Sequence, residues 1–257
     1  MNQQKYPQFE QLQVLRTEAL CSIRDRAFDM LPLYLKNFSD GIISGCNLST
    51  NSDSITLNEG IIKHGDFLYL IKTPMNIEYQ PTDQLMILKM IFDAEMFNET
   101  FIERNISLEL STSENISFDE MELCRFKLKR GAVLRSNYVD FLDRATEFDT
   151  INTINSPFAA VNHSTLSPFI TKSFAEEVKE FDLDSLDFQF CFNALTGQTI
   201  SAAQIIFYIE HKLKIELTDR SNQSLYDHLA IILNKIKSGN HRQIFKSNRR
   251  RRQLIVD

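Results

Sequence analysis

The stretch DGIISGCNLSTNSDSITLNEGIIKHGDFLYLI, residues 40–71, holds four of the seven glycines of this 257-residue chain, at Gly41, Gly45, Gly60 and Gly65. Between them lie short apolar runs: Ile42-Ile43, Ile55-Thr56-Leu57, Ile61-Ile62 and Phe67 to Ile71. Glycine takes positive φ without a steric penalty, so it sits where a chain turns tightly. Short β-prone runs separated by such residues read as a meander of small strands. The four glycines are therefore expected to be structural turns. None of the residues around them forms a recognisable catalytic group.

The β pattern continues downstream. Met75 to Tyr79, Gln84 to Phe92, Phe101 to Leu110 and Met121 to Leu128 are expected strands. Residues 84–92 (QLMILKMIF) are almost continuously apolar, as in a central strand covered on both faces. Glu122 to Lys129 alternates imperfectly, with Phe126 out of phase, which predicts a half-exposed or bulged strand. Ser111 to Asn115 reads as a polar loop, and Arg130-Gly131 as a turn.

Upstream, Leu12, Leu15, Ala19, Leu20, Ile23, Ala27 and Met30 recur at spacings of about three and four, with Gln13, Arg16, Glu18, Arg24 and Asp25 opposite. This predicts an amphipathic helix from about Phe9 to Met30, ended or bent by Pro32. Its apolar face needs either the sheet of its own domain or a neighbouring subunit. Downstream, Asn137 to Pro168 reads as a connector: Tyr138 to Phe148 has partly helical spacing, and Thr150 to Thr165, rich in Asn, Ser and Thr, reads as an extended arm or linker between domains.

From Ser167 the pattern is helical. Ser167-Pro168 is a cap followed by proline at the first helical position. A second helix spans Ser185 to Leu195, capped by Asp184 and ended at Gly197. A third starts from Ser201, and a fourth runs from about Ser221 to Gly239. The expected class is α+β: an N-terminal helix, an antiparallel β-sandwich or barrel-like module, then a small all-α domain with a basic tail. The expected divisions are 1–38, 39–136, 137–166, 167–240 and 241–257.

Net charge is −6, unevenly spread. Residues 241–257 hold six basic residues and one acidic, about +5, so the remainder carries about −11. An acidic body does not offer the clustered positive face that nucleic acid requires. The basic run Arg249, Arg250, Arg251 and Arg252 precedes Leu254-Ile255-Val256. It is a candidate for docking on an acidic partner, with Leu254 and Ile255 adding a strand to a sheet edge. The N-terminus lacks a basic region followed by an apolar core, so no signal peptide is expected. No apolar run approaches the roughly 18 residues of a membrane-spanning helix.

No catalytic, cofactor or metal constellation is legible. Cys21, Cys46, Cys124 and Cys191 lie far apart, without a CxxC pair, and read as reduced, buried thiols. His64, His163, His211, His228 and His241 form no HExxH pattern. No GxSxG, GxxxxGK[ST] or GxGxxG motif is present. Residues 180–187 (EFDLDSLD) lack the calcium-loop pattern.

In the order Leu12 to Leu20, Ser39 to Cys46, Asn58 to Gly65, Met121 to Phe126 and Tyr138 to Phe141, the chain resembles small tail-associated proteins of phages and prophages of Gram-positive bacteria. Ser164 to Pro168 and the helical region extend the resemblance. It implies a structural, non-enzymatic role in a phage tail or a contractile phage-tail-like particle, in the baseplate or where receptor-binding fibres attach. Partners implied are other tail or baseplate subunits, tail fibres, and further copies in a ring or trimer. The alternative is a receptor- or glycan-binding module at the tail tip, using Tyr69, Tyr79 and Tyr138. Neither reading involves nucleic acid, membrane insertion or a cofactor.

Overall fold

A computed structural model describes residues 6–239. The architecture is α+β, as the sequence pattern indicates: one N-terminal helix, antiparallel sheets, and a C-terminal set of helices. The docking candidates Arg249 to Arg252, Leu254 and Ile255 lie outside the described residues, as does His241.

Helix α1 spans Thr17–Tyr34 and starts later than the apolar spacing suggests. Arg16 at its N-cap is extended and provides no side-chain cap, and the residues before it form no continuous helix. Pro32 is accommodated inside the last turn, and the Leu35 amide still reaches the Leu31 carbonyl at 3.0 Å. Lacking an N–H, Pro32 cannot donate to the carbonyl of Phe28, and the helix ends within one turn of it.

The glycine-rich stretch forms β1 (Gly41–Gly45), β2 (Leu48–Thr50), β3 (Ser54–Leu57), β4 (Gly60–His64) and β5 (Phe67–Ile71). These strands do not make one meander. β1-β4-β5 form one antiparallel sheet, while β2 and β3 join β6 (Met75–Glu78) in another. A third sheet has the order β10-β7-β11, from β7 (Leu85–Phe92), β10 (Ile106–Ser111) and β11 (Glu120–Lys127). β7 is thus the central strand that its apolar run requires. The sheets do not close into a barrel; their inner faces share one apolar core that includes Ile55, Leu57, Ile62, Leu88, Met90 and Leu123.

Two strands depart from the simple pattern. β11 carries a bulge between Glu122 and Cys124, which places Met121 to Cys124 in the interior as a run. Glu122, buried there, takes two hydrogen bonds from the Arg125 guanidinium at 2.7 and 2.8 Å. The strand expected over 101–110 is broken. β8 (Met96–Phe97) and β9 (Ile102–Glu103) form a separate ribbon, and the ion pair Arg104–Glu95 at 2.5 Å marks the break before β10.

The polar connector is not a free arm. Single bridges tie Phe148 and Asn152 to β11, Phe158 to β1, and Val161 to Phe38. Ile151, Ile154, Leu166 and the hydroxyl-bearing Thr150 and Thr165 are buried. Asn, Ser and Thr suit an irregular segment because they satisfy backbone groups locally, as Asn152 does for the Ile154 amide at 2.9 Å.

The C-terminal helices are α2 (Pro168–Val178), α3 (Ser185–Leu195), α4 (Ala202–Leu213) and α5 (Asn222–Gly239). Their starts reflect capping chemistry. The Ser167 hydroxyl accepts from the Phe169 amide, Asp184 accepts from Leu186 and Asp187, and Ser201 with Gln204 makes a capping box. Phe174, Ala194, Ile205, Leu225, Leu229 and Leu233 are fully buried among them. Phe141 of the connector enters the same core, stacked on Tyr226 at 4.6 Å, and accepts the Tyr226 hydroxyl at its carbonyl at 2.7 Å.

Candidate functional site: an assembly surface

The glycines place the first element of the surface. In the antiparallel ladder of β1 and β4, Gly45 lies directly opposite Gly60. Gly45 has φ +69°, and a Cβ there would meet the Glu59 carbonyl oxygen at 2.2 Å. Gly60 has normal φ, but a Cβ would lie 2.4 Å from Cys46 Sγ. Close approach of two backbones requires this pair. Gly41 faces the connector, where a Cβ would meet backbone atoms of residues 157–159 below 3.0 Å. Gly65 sits in the β4–β5 hairpin turn at φ +56° with open space around it, its amide donating to Asp40 at 2.9 Å. Of the four expected turns only Gly65 is one; Gly41, Gly45 and Gly60 lie at strand ends in β1 and β4, where close backbone approach rather than a turn calls for glycine.

The candidate surface is α1. Its apolar stripe, Leu20, Ile23, Leu31 and Tyr34, repeats at the spacing of an amphipathic helix, yet these side chains are 52, 49, 51 and 80% exposed. Phe28, Met30 and Leu33 beside them are also exposed. Among the residues whose burial is described, the first fully buried one after the helix begins is Leu35, past its end. Periodicity showed that α1 needs a covering surface; only the structure shows that the described residues leave that stripe largely open.

Two further apolar patches lie elsewhere. The β8–β9 ribbon exposes Met96, Phe97, Phe101 and Ile102. Phe188 and Phe192 on α3 stack at 6.4 Å and are both exposed. The sequence signal for the ribbon is MFNETFI (96–102), apolar on both sides of a polar turn; for α3 it is the i, i+4 phenylalanine pair outside the core stripe. Contiguous exposed patches of this kind mark protein contacts more often than solvent faces.

Several titratable groups have partners within the fold. His64 is buried at the end of β4, stacked on Phe92 at 3.9 Å with Asp40 at 3.8 Å, and burial lowers its pKa. His211 and His228 each face a carbonyl of their own helix, at Phe207 and Ser224. Asp184 is a helix cap, and with buried Asp187 it holds Lys212 at 2.7 and 2.9 Å; Tyr208 donates to Asp187 at 2.8 Å. Cys46, Cys124 and Cys191 are buried free thiols, with Cys46 and Cys191 pushed up by desolvation to about 12. Cys21, on α1, is only partly covered, which departs from four buried thiols and reflects the exposure of that helix. No group of three or more His, Cys, Asp or Glu suited to a metal ion occurs among the described residues. No helix among them is long and apolar enough to cross a membrane.

The tyrosines expected at a sugar site separate. Tyr69 and Tyr79 are core residues at 8 and 6% exposure: Tyr69 packs on Phe92, and the Tyr79 hydroxyl donates to the Asn51 carbonyl at 2.7 Å. Tyr138 is half-buried and donates to the Ile151 carbonyl at 2.8 Å. Two of the three therefore present no ring face to a glycan.

No known family profile matches the chain, and no curated protein matches it. Among solved structures, "Crystal structure of TssK" is similar at 10% identity over 90% of this chain and 71% of that one, with a TM-score of 0.41. A cryo-electron-microscopy structure of the type VI secretion system TssK-TssF-TssG baseplate subcomplex is similar at 8% identity over 90% of this chain and 99% of that one, with a TM-score of 0.39. A likeness of this strength assigns neither a family nor a role to the chain.

Proposed function

We propose that the chain is a non-enzymatic structural subunit of a baseplate, in a phage tail or a contractile phage-tail-like particle, at or near the attachment of the receptor-binding fibres. It acts through protein–protein assembly, as copies within a ring or trimer beside other baseplate subunits. The single observation that carries this reading is α1, an amphipathic helix whose stripe Leu20, Ile23, Leu31 and Tyr34 is left exposed. Phe28, Met30 and Leu33 beside it are each more than half exposed as well, so the helix offers apolar surface for a partner to cover. The resemblance of the Gly41–Gly65 stretch to tail-associated proteins supplies the particle. The burial of Tyr69 and Tyr79 weighs against the glycan-binding alternative.

The test uses the full chain, tagged and isolated gently from particle-producing cells. Quantitative mass spectrometry is expected to find it with tube and baseplate proteins at fixed stoichiometry. A strain lacking the gene that still makes intact, functional particles would sink the reading.

A further inference from the structure

Arg144 lies in the 3-10 turn Leu142–Ala145, where the connector, the first strands and the start of α2 meet. Its neighbour Asp143 is fully engaged. Arg135 holds both Asp143 oxygens at 2.5 and 2.6 Å, and the Val139 amide and Thr146 hydroxyl add two more bonds. Arg144 is left without a carboxylate among the described residues. Its Nε is buried with no hydrogen-bond partner, and its Nη2 makes one long bond, to the Phe169 carbonyl at 3.4 Å. The guanidinium is otherwise supported only by the Tyr138 ring, 4.1 Å away. Arginine has five donors, so this one retains most of its capacity.

Removing a charge from water without pairing it is costly. Burial accordingly pushes the Arg144 guanidinium below its ordinary pKa. Arg144 and Tyr138 line a cavity of about 250 Å³. Ser136 and Thr153 bring hydroxyls to the wall, and Ile42, Leu123 and Phe158 bring apolar surface. Ser167 and Phe169 set the N-terminal end of α2 on the same wall, which adds to the positive potential.

We propose that this cavity is a carboxylate-binding site, in which the Arg144 guanidinium receives an acid group carried on a compact apolar body. One guanidinium with no lysine beside it suits a planar carboxylate, which accepts a forked pair of hydrogen bonds, better than a highly charged phosphate. The volume is many times the roughly 10–15 Å³ that one water needs, which leaves room for a small organic acid or a single acidic side chain with its apolar neighbour. Those two sources share the chemistry, and the experiment separates them.

The full chain is titrated with benzoate, with hexanoate, and with the peptide acetyl-Leu-Glu-amide. Benzamide, hexanamide and inorganic phosphate serve as controls. Melting temperature and calorimetry are read together. Acids are expected to raise the melting temperature saturably while the amides do not, since a ligand bound only by the folded state stabilises it. Arg144→Lys is expected to weaken binding about tenfold by losing the fork. Arg144→Met is expected to abolish binding while leaving the unliganded chain at least as stable as the parent. A response to the peptide alone assigns the site to an acidic side chain of another protein. A response to the free acids assigns it to a small metabolite-like acid. Equal responses to acid and amide, a phosphate response matching the acids, no response to any acid, or binding retained by Arg144→Met each overturn the proposal. If Arg144→Met does not fold, unchanged binding by Arg144→Lys does so.

Discussion

Helices α1 and α5 are both 18 residues long, and both carry apolar stripes at helical spacing. α5 buries seven residues, with Leu225, Leu229 and Leu233 wholly covered. None of the residues between Thr17 and Tyr34 whose burial is described is fully buried. The difference is one of partners. α5 closes a bundle in which α2 and α4 present complementary faces and Phe141 fills the remaining space. α1 leaves its stripe facing outward. An amphipathic pattern therefore states that a helix needs a covering surface without stating whose.

The strongest way to break the comparison is in α5. Leu229→Ala empties a fully buried site and should cost about 2–5 kcal/mol in urea unfolding of the isolated chain. A loss near zero would mean that the bundle is not an independently packed region.

An intermediate effect is expected where the connector closes onto the bundle. Hydrogen bonds from the Arg135 guanidinium, opposed by desolvation and aided by the Val139 amide and Thr146, hold the Asp143 carboxyl well below the usual carboxylate range. A depressed carboxylate contributes stability that is fully present above its unfolded value of about 4, and that is lost as pH falls through the folded value. Arg135 is 39% exposed, so solvent screens the pair. Asp143→Asn should then cost about 1 kcal/mol at pH 7. The gap between parent and variant should narrow as the pH is lowered below about 4, which urea unfolding at neutral pH and near pH ~3 would measure. A gap that widens in acid would contradict the assigned sign.

The smallest effect on folding, and the sharpest for function, is expected in α1. Leu20→Ala with Ile23→Ala should change the stability of the isolated chain by less than about 0.5 kcal/mol, because both side chains are already about half exposed. Alanine also favours the helix. The same variant should fail to co-purify with particles. A destabilisation as large as that of Leu229→Ala would show that α1 packs on its own chain in solution.

Much of the helical region was legible residue by residue. Asp184, Ser201 and the Ser167-Pro168 pair mark helix starts because capping is local chemistry, decided within about four residues. The central place of β7 was legible from its unbroken apolar run. The sheet order was not. Strands 41–71 divide between two sheets, and pairing between strands depends on distant partners that no local pattern names. The connector was misleading for a related reason. Its polar composition suits an exposed arm equally well, yet residues 150–160 include no exposed position and the segment's hydroxyls and amides find partners across the fold, as Thr165 does at the Ile200 carbonyl, 2.8 Å away.

The candidate surface divides the same way. Apolar spacing from Leu12 onward announced a helix with a face to cover, whereas the glycines suggested four turns, of which only Gly65 is one. That Gly45 and Gly60 face one another, that Tyr69 and Tyr79 are core, and that the buried Arg144 Nε lacks a partner among the described residues were decided only in three dimensions. By itself the sequence determined the element types, the helix boundaries set by caps and the absence of a recognisable catalytic motif, since each depends on neighbours in the chain. The tertiary structure alone decided which strands pair, which apolar faces are covered and which charges are compensated, since each depends on neighbours in space.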